Sequence, residues 1–140
     1  MEPDDRASPE VAAELLDQAF DVGNLVAVRA TVAAHADAAG LSARRVGEIV
    51  LLVHELASNA VRHGGGSGRL RMWVTGDAVR CEVSDTGPGL PDRYLGTLAQ
   101  PALDAVGGRG IWLIRELCDR VDWRSGPDGT VVTVSVELDR

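Results

Sequence analysis

Apolar positions along the chain recur at helical spacing first and at strand spacing later. From Asn24 the segment NLVAVRATVAAHADAAG places Leu25, Val28, Val32 and Ala36 three to four apart, which is the repeat of one buried helix face. Asn24 is the natural N-cap of this helix and Gly40 its stop. Ser42 opens a second helix, in which Val46, Ile49, Val50, Val53, Leu56, Ala57 and Ala60 keep the same spacing until Gly64-Gly65-Gly66 ends it. The period then becomes two. RLRMWVT puts Leu70, Met72 and Val74 on one face, AVRCEVS does the same with Val79, Cys81 and Val83, and Gly76-Asp77 between them suits a two-residue hairpin turn.

Three further stretches complete the outline. Residues 14 to 22 (ELLDQAFDV) form a short apolar run before Gly23-Asn24 and are read as a first strand, at a sheet edge. The loop DTGPGLP (85 to 91) leads into residues 92 to 106, which keep no period and are read as a loop or lid. GGRG (107 to 110) then opens a helix in which Ile111, Ile114, Leu117, Cys118 and Val121 share a face. Last, VDWRS, the turn GPDG and TVVTVSVEL form a hairpin whose final strand alternates Val132, Val134, Val136 and Leu138 against Thr133, Ser135 and Glu137. The order β-α-α-β-β-lid-α-β-β implies an α+β fold, a two-layer sandwich in which helices cover one face of a mixed or antiparallel sheet.

Composition narrows what such a sandwich does. A chain of 140 residues makes one domain, expected over residues 10–140 after a polar, charged tail at residues 1–9 (MEPDDRASP) that frays. The 14 basic residues are all arginine. A Walker-type P-loop and a eukaryotic-type protein kinase both need a lysine on the phosphates, and Schiff-base chemistry needs a lysine amine, so all three are excluded. A net charge of −7 without a basic stripe also argues against direct nucleic-acid binding. Cys81 and Cys118 lie on separate elements without CxxC spacing and read as small core residues, while His35, His54 and His63 are too scattered for a metal cluster. No basic segment leads into an apolar one at the N-terminus, and the longest apolar run is residues 49 to 53. A soluble, cytoplasmic protein is expected.

Candidate chemistry begins on the second helix. At about 100° per residue, with Val46, Ile49, Val53 and Ala60 turned inward, Glu55 and Asn59 fall together on the opposite side, with His63 one turn further on. A solvated polar face with a histidine at the helix end gives the same residues. Against that reading, Leu51 and Leu52 flank the polar line, as if it bordered a cavity, and Ser58-Asn59 are mediocre helix formers. An amide oxygen is a hard ligand suited to Mg²⁺, and a carboxylate one turn away can orient or deprotonate a hydroxyl. In DTGPG, Asp85 sits at a strand end with Gly87 and Gly89 after it. An ordinary turn has the same sequence, but a fixed aspartate also accepts from an exocyclic amino group. Gly108, Arg109 and Gly110 open a helix, where free N–H groups favour an anion; a plain loop device is the alternative.

E-x-x-x-N-x-x-x-H at 55 to 63, D-x-G-x-G at 85 to 89, G-x-G at 108 to 110 and Gly129-Thr130 opening the last long strand occur in one chain, in this order. Together they resemble the GHKL superfamily, the histidine-kinase, gyrase and chaperone type of ATP-binding domain, over roughly residues 14 to 138. The short lid, about residues 91 to 106, and the lack of a preceding dimerisation helix make the sequence look like the small anti-sigma factor serine/threonine kinases of that superfamily. The resemblance implies ATP and Mg²⁺ as cofactors, with Asn59 on the metal and Glu55 as catalytic base or orienter of the acceptor hydroxyl. It further implies His63 or Arg62 near the phosphates, Asp85 on the adenine amino group with Thr130 supporting it, and Gly87 and Gly89 shaping the adenine side. Gly108, Arg109 and Gly110 would line the triphosphate. Its partners would be a sigma factor and a STAS-type anti-anti-sigma protein, and a homodimer is a further expectation. Two other readings remain: an ATP-gated regulator that transfers no phosphate, and a folded domain with no nucleotide site.

Overall fold

The elements follow one another along the chain as β1 (Ala13–Asp21), α1 (Leu25–Ala38), α2 (Ala43–His63), β2 (Ser67–Thr75), β3 (Ala78–Asp85), β4 (Arg120–Gly126) and β5 (Gly129–Glu137). The computed structural model of the protein describes residues 13–88, 114 and 116–138. The strands form one sheet in the order β1-β2-β3-β5-β4, with every neighbouring pair antiparallel. The "mixed" alternative thus falls away. β1 is an edge strand, as its sequence suggested, and β4 is the other edge.

The punctuation of the sequence is largely realised. Ser42 accepts from the Arg45 backbone N–H at 3.2 Å and caps α2. Gly76 turns the β2–β3 hairpin at φ +58°, a conformation in which a side chain is strained. Asn24 stands at the N-cap position of α1 without capping it. Its side chain instead accepts from Asp21 N–H at 2.8 Å and donates to the Ala19 carbonyl at 3.1 Å, binding the β1–α1 turn together. Val121, assigned by spacing to a helix face, lies in β4. Ile114 is helical and buried in the core, and the helical hydrogen bond from Cys118 N–H to its carbonyl is 3.2 Å long.

Period-two alternation puts Leu70 and Met72, Val79, Cys81 and Val83, and Val132, Val134 and Val136 on the helix-facing side, all buried. Each buried side chain of this size contributes about 1.5–3 kcal/mol. Against them α2 turns Ile49, Leu52, Val53, Leu56 and Ala60, and α1 adds Val28, Val32 and Ala36. The buried arc of α2 is therefore rotated from the expected stripe. Leu52 is wholly buried and belongs to the core, whereas Val46 and Val50 are only partly covered.

The other face of the sheet is polar, with two exceptions to the alternation: Trp73 and Ser135 are buried there. Arg69 holds Asp17 through two contacts of 2.6 and 2.9 Å, and this hydrogen bonding keeps the Asp17 carboxyl below its ordinary range. Arg71 lies 5.8 Å from the Trp73 ring centroid.

Arg45 ties the layers at one end. Its Nε donates to the Glu137 carbonyl at 3.2 Å, Nη1 to Glu48 at 2.9 Å, and Nη2 to Asp119, whose same oxygen accepts from Glu137 N–H at 2.7 Å. Burial opposes the Arg45 charge, but the hydrogen bonds with Glu48 and Asp119 prevail and its pKa is raised.

Candidate functional site

The far end of the sheet, where α2 runs out, brings the sequence motifs together. The register pairs Asp85 of β3 with Thr130 of β5, and Thr130 with Ser125 of β4. By strand alternation all three face the helices. Thr130 is 5% exposed, and its hydroxyl lies 2.7 Å from the Ser125 hydroxyl. Asp85 Oδ1 accepts from the Gly87 N–H at 3.0 Å.

Glycines let three elements close on Asp85. A Cβ on Gly64, at the end of α2, would lie 2.3 Å from the Asp85 carboxyl carbon. One on Gly87 would lie 2.4 Å from the Gly64 backbone, and one on Gly129 would lie 2.1 Å from the Asp85 carbonyl oxygen. Gly129 also has φ +140°. The helix exit and the D-x-G turn thus touch backbone to backbone, a role for Gly64 that its place after a helix did not disclose.

Between α2 and the sheet a small pocket is lined by Leu56, Asn59, Ala60, Val83, Asp85, Thr130 and Val132. Its walls are mostly apolar and its polar groups converge, but its volume is only about 10 Å³, room for about one water. Asn59 is 7% exposed, so it stands on the shoulder of the core face and not on the opposite side of α2. The reason is the rotated arc: Leu56 and Ala60, beside it, are core residues. Arg62 Nη2 donates to Asn59 Oδ1 at 3.0 Å and fixes the orientation of the amide.

Glu55 lies one turn before Asn59, half-buried, outside the pocket lining, with no hydrogen bond or ion pair among the described residues. His63 is the last residue of α2 and is half-buried. His54, on the same helix, lies with Nδ1 3.1 Å from Arg29 Nη1. Gly89, Gly108, Arg109 and Gly110, with the expected lid at 91 to 106, lie outside the described residues.

Two other cavities bear on the choice of site. An open one of about 290 Å³ adjoins the far side of Asp85, under the β4–β5 turn, and reaches Ser125 and Arg124. A groove of about 410 Å³ on the polar face of the sheet is lined by Arg80, Asp122, Trp123, Arg124, Val131 and Thr133. That groove is larger, but none of the motif residues reaches it. Convergence of Asn59, Asp85 and Thr130 outweighs size. Among the described residues no group of three or more His, Cys, Asp and Glu could hold a metal ion, and no helix is long and apolar enough to cross a membrane.

No curated protein sequence matches the chain at a significant level. Among solved structures, the histidine kinase domain of the Erythrobacter litoralis blue-light activated histidine kinase is similar, with 25% identity and a TM-score of 0.54 over 67% of this chain and 48% of that one. A structure of RsbU and RsbW domains from Mycobacterium tuberculosis gives 20% identity and a TM-score of 0.64, over 89% of this chain and 32% of that one. The catalytic domain of histidine kinase ThkA gives 14% identity and a TM-score of 0.54, over 87% of this chain and 95% of that one. The chain therefore spans half or less of the length of the first two relatives. A profile of the histidine kinase-like ATPase domain matches residues 19–136. That span runs from the end of β1 to the end of β5 and takes in the whole pocket, so the protein belongs to the histidine kinase-like ATPase family, within the GHKL superfamily of ATP-binding domains.

Proposed function

We propose that the protein is a Mg-ATP-dependent protein serine/threonine kinase that phosphorylates a STAS-type anti-anti-sigma factor and otherwise sequesters a sigma factor in the cytoplasm. The observation that carries this reading is the meeting of Asn59, Asp85 and Thr130 in one pocket, with Glu55 one turn away on the same helix. Asp85, with one oxygen held by Gly87, offers its other oxygen to an amino group; Thr130 adds a hydroxyl beside it. Leu56, Ala60, Val83 and Val132 offer an apolar floor to the edge of a purine ring, whose body would lie outside this cavity of about 10 Å³.

The donor set fits Mg²⁺, which takes one or two protein oxygens and completes its shell with phosphates and water. Asn59 Oδ1 would be the protein ligand. Arg62, an exposed side chain on that same oxygen, would release it and turn its charge toward the phosphates. When bound, the metal would neutralise phosphate charge. Glu55, without a partner of its own among the described residues, would receive or orient the proton of the acceptor hydroxyl. Gly108, Arg109 and Gly110 would line the triphosphate, as the resemblance to the GHKL superfamily implies. The likeness in fold to the RsbU–RsbW structure over 89% of the chain supports the same direction.

Incubating the protein with Mg-ATP and a STAS partner, followed by mass spectrometry, tests the proposal. Saturating ATP, at a hundred times its dissociation constant, is expected to add about 2.7 kcal/mol to stability. Glu55→Ala should retain that protection and lower transfer by about two to four orders of magnitude. Unchanged transfer in the variant removes the assigned role from Glu55. A nucleotide-dependent complex without a phosphorylated product supports the alternative, an ATP-gated regulator. Absence of any ATP protection would sink both.

A further inference from the structure

The face of the sheet turned away from the helices holds two arginines that its own acids leave unengaged. By register that face carries Arg69 and Arg71 of β2, Arg80 of β3, and Arg120 and Arg124 of β4. Arg69 holds Asp17 at 2.6 Å, Arg71 stands 3.8 and 3.9 Å from Glu14 and Glu82, and Arg120 pairs with Asp122 at 3.1 Å. Arg80 and Arg124 have no ion pair or hydrogen bond among the described residues, and the buried Nε of Arg80 lacks an acceptor. Both line the groove of about 410 Å³, in a chain whose net charge is −7. We infer that this groove docks an extended acidic segment of a partner protein, on the opposite side of the sheet from the nucleotide pocket.

Strand register sets the pattern such a segment must carry. Arg80 is the partner of Ser135 on one side of β5, and Arg124 is the partner of Val131 on the other. Thr133 lies midway between those two positions and forms the floor of the groove with Val131. Four strand positions span about 13 Å and neighbouring strands lie about 4.8 Å apart, so the two arginine stems stand at diagonal corners roughly 16 Å from each other. The middle row has the opposite sign: Glu82 and Asp122 are the partners of Thr133 on its two sides. Glu137, beyond Ser135 on β5, lies outside the lining. An extended peptide with carboxylates four residues apart spans about 13 Å and turns the residue between them to the same face. Its complement to the groove is therefore acid, uncharged apolar residue, acid at alternate positions. Each guanidinium is a planar fork that takes a carboxylate through two parallel hydrogen bonds. Arg80 is half-buried, so its stem is ordered before a ligand arrives. A nucleic-acid backbone suits the groove less well, because its unbroken run of phosphates would pass between Glu82 and Asp122.

Solution NMR of the full chain tests this with a capped synthetic pentapeptide as probe, carrying aspartate at its first and fifth positions, valine at the third and threonine between. Saturable shifts at millimolar concentration or below are expected in the Nε–H signals of Arg80 and Arg124 and along β3, β4 and β5, the range of a weak docking contact. The same peptide with asparagine in place of aspartate should bind about tenfold more weakly, the size of a charge-assisted hydrogen bond discounted for exposure. A glutamate at its third position should weaken it as well. Arg124→Glu, at an exposed position, should lose about tenfold in affinity with thermal unfolding unchanged. Arg80→Gln should do the same, with thermal unfolding as the check that it folds. Equal binding of the asparagine peptide, wild-type affinity in Arg124→Glu, or no saturable shift overturns the inference. So does displacement of the peptide by inorganic phosphate or by a single-stranded oligonucleotide, which would make the groove a general anion site or a nucleic-acid face. Loss of a wild-type dimer in Arg124→Glu, read by sedimentation, would overturn it too and give the face to a second copy of the chain.

Discussion

Asp85 shows how far a single side chain is defined by residues that lack one. Gly64, Gly87 and Gly129 come from three elements, and each approaches its neighbour at a distance no Cβ tolerates. At Gly64 an added methyl meets the Asp85 carboxyl carbon at 2.3 Å and the Ala60 carbonyl at 2.7 Å, so neither side yields by a simple rotation. Gly64→Ala should therefore weaken ADP binding at least tenfold and lower stability by about 1–3 kcal/mol, the usual cost of overpacking. Calorimetry and urea unfolding measure the two effects; ADP affinity equal to wild type would show that Asp85 is free to move. Motif chemistry singled out Asp85, Asn59 and Thr130, which line one pocket, but not this enclosure. Three glycines after a helix look like a stop signal, and the partner that forbids a side chain at Gly64 is supplied only by the fold. Ser125 was hidden for a similar reason, since a serine before a turn carries no signal until register sets it beside Thr130.

Elements were legible wherever a local interaction bounds them. Ser42 caps α2, Gly76-Asp77 turns the first hairpin, and Gly126 to Gly129 turns the second. Rotation of α2 about its axis was not legible. This helix packs on α1 as well as on β2, β3 and β5. Its buried arc is therefore wide, and the aliphatic stripe alone does not mark the centre. Arg45 was equally opaque, because an arginine in a first helical turn reads as solvated until Glu48, Asp119 and the Glu137 carbonyl are seen around it. At 8% exposure it is a polar clip between α2, the entry to β4 and the end of β5. Arg45→Met keeps the packing of the stem and removes the clip. A loss of about 2 kcal/mol is expected, a charged hydrogen-bond network discounted for the partial exposure of its acids. The urea midpoint should fall at constant slope; a midpoint within error of wild type would assign the network no net stability.

At the scale of the molecule, the order of strands along the chain followed from periodicity, but their order in space did not. Both hairpins could dock either way by local pattern, and only the pairing of β3 with β5 puts Asp85 beside Thr130. Cysteine placement was foreseeable: Cys81 is fully buried and Cys118 packs at the margin of the core. Burial pushes the Cys118 thiol from an ordinary 9.0 up to about 11 and lifts the Cys81 thiol further. The unfolded chain releases these protons near pH 9 while the folded chain keeps them. The Cys118 contribution to stability is thus complete below pH 9 and is lost as pH rises through about 11, while that of Cys81 persists to higher pH. Urea midpoints recorded across that window should decline, and Cys118→Ala should flatten the decline. A midpoint insensitive to alkali would contradict the assigned burial.

The strand order carries one more consequence, for inheritance. β3 ends beside the start of β5, where Asp85 meets Thr130, whereas β4 begins beside the far end of β5, where Arg120 meets Ser135. The connection between them re-enters the fold through Ile114 in the core and Asp119 on Arg45. Neither anchor depends on how many residues precede it. Doubling the length of a connection costs only about 0.6 kcal/mol in loop-closure entropy. Between the glycine motifs at residues 85–89 and 108–110, which are proposed to hold the nucleotide, descendants of this chain can therefore differ in length at little cost to the fold, which makes the stretch between those motifs the economical place for change.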